Sequence, residues 1–263
     1  MKLIKLIILS VVILAFAACT DRPFAPWMDL TPPRGGWLWV AKNSNSSAIY
    51  KVDVSTGKWI DILPVLFKKD RDGSIMGLAF GDGKLWVGLD EAGDEFDPGG
   101  EYYCWIDPVT GEMGDWVELE DGIHPKGLAW DDSNLWIAGG LYYALFDPYS
   151  GELIRKQTLH YNRIYGLACD GSRLWLPACE YVDFEPIWFI YELDPDTGDI
   201  NSRIPSPCEG TTGLSWDGEA LWVNDAKNAV VYRVAPDTGT VLGYFAYDFA
   251  PGPWGLAWEF PSE

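Results

Sequence analysis

The sequence is short of histidine and of positive charge, and it has no apolar run long enough to cross a bilayer. His124 and His160 are the only histidines. Neither has a cysteine or carboxylate at metal-ligand spacing beside it, so surface positions explain both, with a shared metal or acid/base role as the alternative. No G-x-S-x-G turn and no H-E-x-x-H helix occurs, which excludes two common hydrolase arrangements. Lys and Arg number 19 against 39 Asp and Glu, giving a formal charge of −20. A surface this acidic repels phosphate backbones, so no nucleic acid and no anionic headgroup is expected as a partner. Cations, cationic peptides and neutral glycans stay open, and solubility alone also explains the acidity. The apolar stretch from Leu6 to Ala18 is shorter than the roughly 20 residues a spanning helix needs. No sustained helical period appears, so the chain is predicted to be all-β.

The N-terminus is predicted to set the compartment. Lys2 and Lys5 precede the apolar run, and Ala17-Ala18-Cys19 closes it with small residues, the pattern of a signal peptide over residues 1–18. Ala15-Phe16-Ala17-Ala18-Cys19 resembles the lipobox of bacterial lipoproteins. That resemblance implies a lipid (palmitate-bearing) anchor on Cys19 and membrane attachment through it, with plain cleavage or an uncleaved anchor as alternatives. Thr20 in place of aspartate resembles the pattern sent to the outer membrane in a cell that has two. Residues 19–35 carry Pro23, Pro26, Pro32 and Pro33 without apolar period, which reads as an extended tether. Residues 36–263 are long enough for one domain with a substantial core or for two small ones, and the repeats favour one.

One unit recurs along these residues. It begins Gly-Leu-Ala-aromatic, as Gly77-Leu78-Ala79-Phe80 and Gly127-Leu128-Ala129-Trp130, with variants at Gly166-Leu167-Ala168-Cys169, Gly213-Leu214-Ser215-Trp216 and Gly255-Leu256-Ala257-Trp258. Leu-Trp-aliphatic follows an Asp/Gly turn, as in Leu85-Trp86-Val87 and Leu221-Trp222-Val223. An aromatic-rich segment then enters an Asp-Pro-x-Thr-Gly turn such as Asp107-Pro108 to Gly111, and a polar-to-apolar segment ends the unit. Each piece has the composition of a strand between turn residues. The Asp accepts from amides ahead, Pro presets its φ, and Gly takes the positive φ. Four antiparallel strands in each such unit match a β-propeller blade.

Every piece occurs five times, but the order is displaced: the series opens at Leu38-Trp39-Val40 and ends with an orphan Gly255-Leu256-Ala257-Trp258. A five-bladed β-propeller is therefore predicted, closed by a C-terminal strand that completes the N-terminal blade and pairs two open sheet edges. The blades are placed at residues 36–65 with 253–260, then 75–120, 125–160, 164–205 and 211–247. Their recurrent tryptophans are read as core.

Binding residues are expected at the mouth where the innermost strands begin, because rim loops on a rigid scaffold carry function. Met76, Lys126, Tyr165, Thr212 and Trp254 precede the recurrent glycines, differ in every copy, and are predicted to ring that mouth. Tyr161 and Arg163 enter the fourth blade, and Glu180 and Asp183 lie in its longer loop, where aromatics beside carboxylates suit a sugar ring or a cation. Loop packing explains them equally well. Asp90, Asp94 and Asp97, with Glu91 and Glu95, form a carboxylate cluster able to hold Ca²⁺; a solvated acidic loop is the other reading. Of the cysteines after Cys19, Cys179 and Cys208 fall on one rim and are predicted to form a disulfide, while Cys104 and Cys169 are expected as buried thiols.

Taken together these motifs resemble the secreted propeller repeats grouped as NHL, YVTN and glutamine cyclotransferase-like, over nearly all of residues 36–260. The resemblance implies the fold strongly and function weakly. It also raises an enzyme of cyclotransferase, lyase or lactonase type acting in a rim pocket. Plant-type glutaminyl cyclases carry acidic residues at positions that are here Met76, Lys126, Tyr165, Thr212 and Trp254, none of them acidic. A binding module for a protein, peptide or glycan ligand is the favoured expectation.

Overall fold

The computed structural model describes residues 35–42, 47–55, 57–67, 73–92, 99–120, 122–158, 164–247 and 254–261. The proposed signal peptide, Cys19 and nearly all of the tether lie outside the described residues. Blade one contains β1 (Trp37–Lys42), β2 (Ala48–Asp53) and β3 (Lys58–Pro64). Blade two contains β4 (Gly73–Gly81), β5 (Lys84–Ala92), β6 (Gly99–Ile106) and β7 (Val117–Glu118). Blade three holds β8 (Ile123–Trp130), β9 (Leu135–Gly140), β10 (Tyr142–Phe146) and β11 (Leu153–Thr158). Blade four holds β12 (Ala168–Cys169), β13 (Leu174–Val182), β14 (Glu185–Leu193) and β15 (Ile200–Pro205). Blade five holds β16 (Gly213–Trp216), β17 (Leu221–Asp225), β18 (Val230–Val234) and β19 (Val241–Ala246), and β20 (Gly255–Glu259) is the last strand among the described residues.

Five four-stranded antiparallel sheets result, and the order β20-β1-β2-β3 in blade one is the closure expected from the displaced repeat. Register runs from Trp37 opposite Glu259 to Ala41 opposite Gly255. This pairing protects the edges of both terminal strands at once.

The pleat sends alternate side chains to the two neighbouring blades, so the core is divided into five interblade layers. Blades one and two share Trp39, Ile49, Leu78, Leu85 and Val87. Blades two and three share Trp86, Tyr103, Leu128 and Ile137, blades three and four Trp136, Tyr143, Leu167 and Leu176, blades four and five Trp175, Ile190, Leu214 and Val223, and blades five and one Trp222, Phe245, Leu38 and Leu256. One tryptophan per blade anchors each layer. In three layers it stacks on the ring ending the next blade's innermost strand: Trp86 on Trp130 at 5.6 Å, Trp175 on Trp216 at 5.0 Å, and Trp222 on Trp258 at 5.7 Å. Phe80 and Cys169 hold the corresponding position beside Trp39 and Trp136.

Turn chemistry fixes the blade geometry. The Oδ1 of Asp107 accepts from the Val109 and Thr110 amides at 2.8 Å, and Asp147 and Asp194 repeat the arrangement. These donors hold the three carboxyls below their ordinary range. The turn glycines then take positive φ, 73° at Gly111 and 77° at Gly198. In the inner hairpins one aspartate does two tasks. Asp217 accepts the Glu219 and Ala220 amides through one oxygen, and the Trp222 indole N–H at 3.0 Å and Arg233 Nε at 2.7 Å through the other. Asp131 binds the Asn134 amide and the Trp136 indole in the same manner.

The recurrent glycine exists for the axis. A Cβ on Gly127 would stand 2.6 Å from the carbonyl carbon of Gly166, and one on Gly255 would stand 2.8 Å from the Leu78 nitrogen. Innermost strands therefore meet backbone to backbone at this level. The glycine ring separates an upper mouth, where these strands begin, from a lower mouth, where they end.

Candidate functional site

At the upper mouth the structure brings together three of the five residues read from the repeat. Lys126 Nζ lies 4.9 Å from the centre of the Tyr165 ring, and Tyr165 meets Trp254 edge-on at 6.1 Å. These side chains come from blades three, four and one, so the contact spans the axis. Strand irregularities help: the β4–β5 register shifts between Ile75 and Gly77, and the β8–β9 register between Ile123 and Gly127. Such bulges re-aim side chains. Met76 occupies the first of them and is buried, a wall residue and not an exposed ring member.

Thr212 belongs to a polar network behind the mouth. Its Oγ1 accepts from Asn224 Nδ2 at 2.6 Å, and Tyr247 donates its hydroxyl to Asn224 Oδ1 at 3.2 Å. Asn224 and Asp225 are both fully buried, and Asp225 accepts from the amide and side chain of Asn228 at 3.0 and 2.8 Å. Burial, with the Asp225 charge nearby, pushes the Tyr247 hydroxyl far above its ordinary value. It stays a neutral donor.

The remaining expectations separate. Glu180 accepts from the Tyr191 hydroxyl at 2.6 Å and pairs with Arg203, and these two partners hold its carboxyl below the usual range. That engagement turns Glu180 toward the outer strands of its own blade. Asp183 and Phe184 form the tip of the β13–β14 hairpin with φ of 53° and 67°, a two-residue turn that leaves Phe184 97% exposed. Asp90 is exposed at the end of β5, while Asp94, Asp97, Tyr161, Arg163 and His160 lie outside the described residues. Among the described residues no group of three or more potential ligands is placed to hold a metal ion. His124 pairs through Nδ1 with Glu101 of the neighbouring blade.

The predicted Cys179–Cys208 crosslink is not made, since all four described cysteines are thiols. Cys208 is drawn into the layer between blades four and five, with Sγ 3.5 Å from Thr211 Oγ1 and 3.9 Å from the Asn224 carbonyl oxygen. Cys104 is buried as expected, whereas Cys169 is only partly so.

The lower mouth was not anticipated. It opens into a cavity of about 580 Å³ whose wall includes Phe80, Trp130, Trp216 and Trp258, with Asp82, Asp132 and Asp170 in the lining. These rings end the innermost strands of four blades. Blade four supplies Cys169 instead, and the small side chain breaks the aromatic circle next to Asp132 and Asp170. Burial, reinforced by Asp131, Asp170 and Asp132, raises the Cys169 thiol to about 12. A sequence signal was present, because residue 169 is the one copy of five without a ring at that place.

No family profile matches the chain, and no curated protein matches it. Solved structures do: among 902 matching chains is one from a crystal structure of a nidogen/laminin complex. It aligns with a TM-score of 0.57 at 13% identity, covering 86% of this chain and 99% of that one. The likeness shows a shared propeller fold.

Proposed function

We propose that this chain is a binding module displayed on the cell envelope through a lipid on Cys19, taking a protein, peptide or glycan ligand at the upper mouth of the propeller. The observation that carries the reading is the cluster of Lys126, Tyr165 and Trp254, contributed by three blades and meeting across the axis. An ammonium over the half-buried Tyr165 ring, with Trp254 edge-on to that ring, offers stacking faces and donors on a rigid frame, which is what recognition needs. Thr212 adds a partly accessible hydroxyl, held in place from behind by the buried Asn224 amide and the Tyr247 hydroxyl.

Cyclisation of a glutaminyl peptide, the enzymatic alternative, calls for carboxylates acting on the substrate amine and amide. The five residues at this mouth are Met, Lys, Tyr, Thr and Trp, which favours binding over that chemistry. A thermal-shift screen of the purified protein against glycans, peptides, Ca²⁺ and Zn²⁺, with N-terminal-glutamine peptides assayed for turnover, tests the reading. Stabilisation by a glycan or peptide that disappears in a Tyr165→Ala/Trp254→Ala variant is expected. Turnover of a glutaminyl peptide, or stabilisation unchanged in that variant, would refute it.

A further inference from the structure

The lower cavity combines features that the upper mouth lacks. Its floor is apolar, formed where Leu128, Leu167 and Leu214 approach the axis, and its wall carries partly exposed rings. Its volume of about 580 Å³ falls in the range of small-ligand pockets, roughly 300–1,000 Å³. Three carboxylates stand in the lining, and their cation partners differ. Lys84 lies 3.5 Å from Asp82, and Arg173 lies 2.8 Å from Asp170. Among the described residues no cation is paired with Asp132. Its Oδ2 reaches across to blade four, 3.5 Å from where a Cβ on Gly171 would stand, beside the break in the aromatic circle at Cys169.

From this arrangement we propose that the lower cavity binds an ammonium or guanidinium head carried on an apolar stem, as a lysine or arginine side chain of a peptide presents it. The stem lies on the leucine floor, the head faces the indole rings of Trp130 and Trp216, and Asp132 supplies the counter-charge. Aromatic faces attract cations through the ring quadrupole, and the chain's formal charge of −20 adds a long-range pull on any cation. Carboxylates that help to push the Cys169 thiol upward act in the same direction on a bound cation, stabilising it.

The test titrates the purified protein with N-acetyl-lysine amide and with N-acetyl-norleucine amide, which shares the apolar stem without the ammonium, following tryptophan fluorescence. The lysine probe is expected to bind saturably and about tenfold more tightly than norleucine, as a cation over aromatic faces beside an exposed carboxylate would. Asp132→Asn is expected to remove most of that preference. Asparagine tolerates the φ of 72° at this position, and circular dichroism checks the fold. Should the variant fail to fold, loss of the wild-type preference in half-molar salt gives an independent reading. Absence of saturable binding, equal affinity for norleucine, or a lysine preference insensitive to both Asp132→Asn and salt overturns the proposal. Loss of lysine binding in Tyr165→Ala/Trp254→Ala with retention in Asp132→Asn also overturns it, by moving the ligand to the upper mouth. The proposal stands independently of the upper-mouth reading, since Asp132→Asn addresses one end of the axis and Tyr165→Ala/Trp254→Ala the other.

Discussion

Replacing Trp258 by alanine attacks the closure of the ring. The side chain is 2% exposed, stacks on Trp222 at 5.7 Å with 7° between the planes, and packs in a layer with Leu38, Val40, Val52, Val231 and Phe245. Truncating a buried tryptophan costs about 3–5 kcal/mol through lost transfer and the remaining cavity. A domain of this size has a stability of roughly 5–15 kcal/mol, and each kcal/mol moves Tm by about 2–4 °C, so a fall of roughly 6–20 °C is expected. Position also matters, because β20 reaches its blade only through pairing with β1. Weakening that pairing exposes two edges together, so the β20 amides that are hydrogen-bonded to β1 should lose hydrogen-exchange protection before those of β5 or β9. Trp258→Phe is the control. It keeps the stack and removes an indole N–H that is buried without an acceptor among the described residues, so its loss should be under about half that of alanine. Urea unfolding followed by near-ultraviolet circular dichroism reads both variants. A loss below about 1 kcal/mol for Trp258→Ala, or uniform exchange across all blades, would show that β20 does not hold the ring closed.

Three other outcomes are expected. Gly127→Ala drives a Cβ to 2.6 Å from the Gly166 backbone, and a loss of about 1–3 kcal/mol in urea unfolding should follow from overpacking. Cys169, raised to about 12, should alkylate in the folded protein about a thousandfold more slowly at pH 8 than an ordinary thiol of pKa about 8.5, and at the ordinary rate after unfolding, as mass spectrometry of the labelled peptide would show. Asp107, Asp147 and Asp194 are held below 3.8 by turn amides in the folded chain, so unfolding in acid takes up protons. Their stabilisation is complete above about pH 4 and is lost as pH falls through the lowered folded values; Asp147→Asn should make the acid decline in Tm shallower.

The fold was legible because each repeat states its own local structure. Aspartate, proline and glycine in turns such as Asp194 to Gly198 define the outer hairpin, and alternation in segments such as Leu85-Trp86-Val87 defines which blade each side chain faces. Even the displaced order of the repeat carried information, since an unpaired terminal segment with the sequence of an innermost strand has one place to go. Side-chain destinations were less legible. Met76 and Lys126 both precede a recurrent glycine at a register shift, yet the apolar side chain of Met76 is buried in the wall while the Lys126 ammonium stays at the mouth over Tyr165. Cys208 lies close to the rim in sequence, but Thr211 and the Asn224 carbonyl oxygen draw its sulfur into the layer below. The lower cavity is marked in the sequence only by Cys169, because the rings that wall it carry the same repeat pattern as packing residues. Stacking of Trp216 on Trp175 and Trp258 on Trp222 confirms that role without exhausting it, since the same residues also face the cavity.

The most direct test of the account is calorimetric titration of the best glycan or peptide from the thermal-shift screen into the wild-type protein and into Tyr165→Ala/Trp254→Ala. Saturable one-site binding without chemical change of the ligand, weakened at least tenfold by the double substitution while Tm stays near wild type, is the predicted result. Undiminished binding in the variant, or conversion of the ligand during the titration, would contradict it.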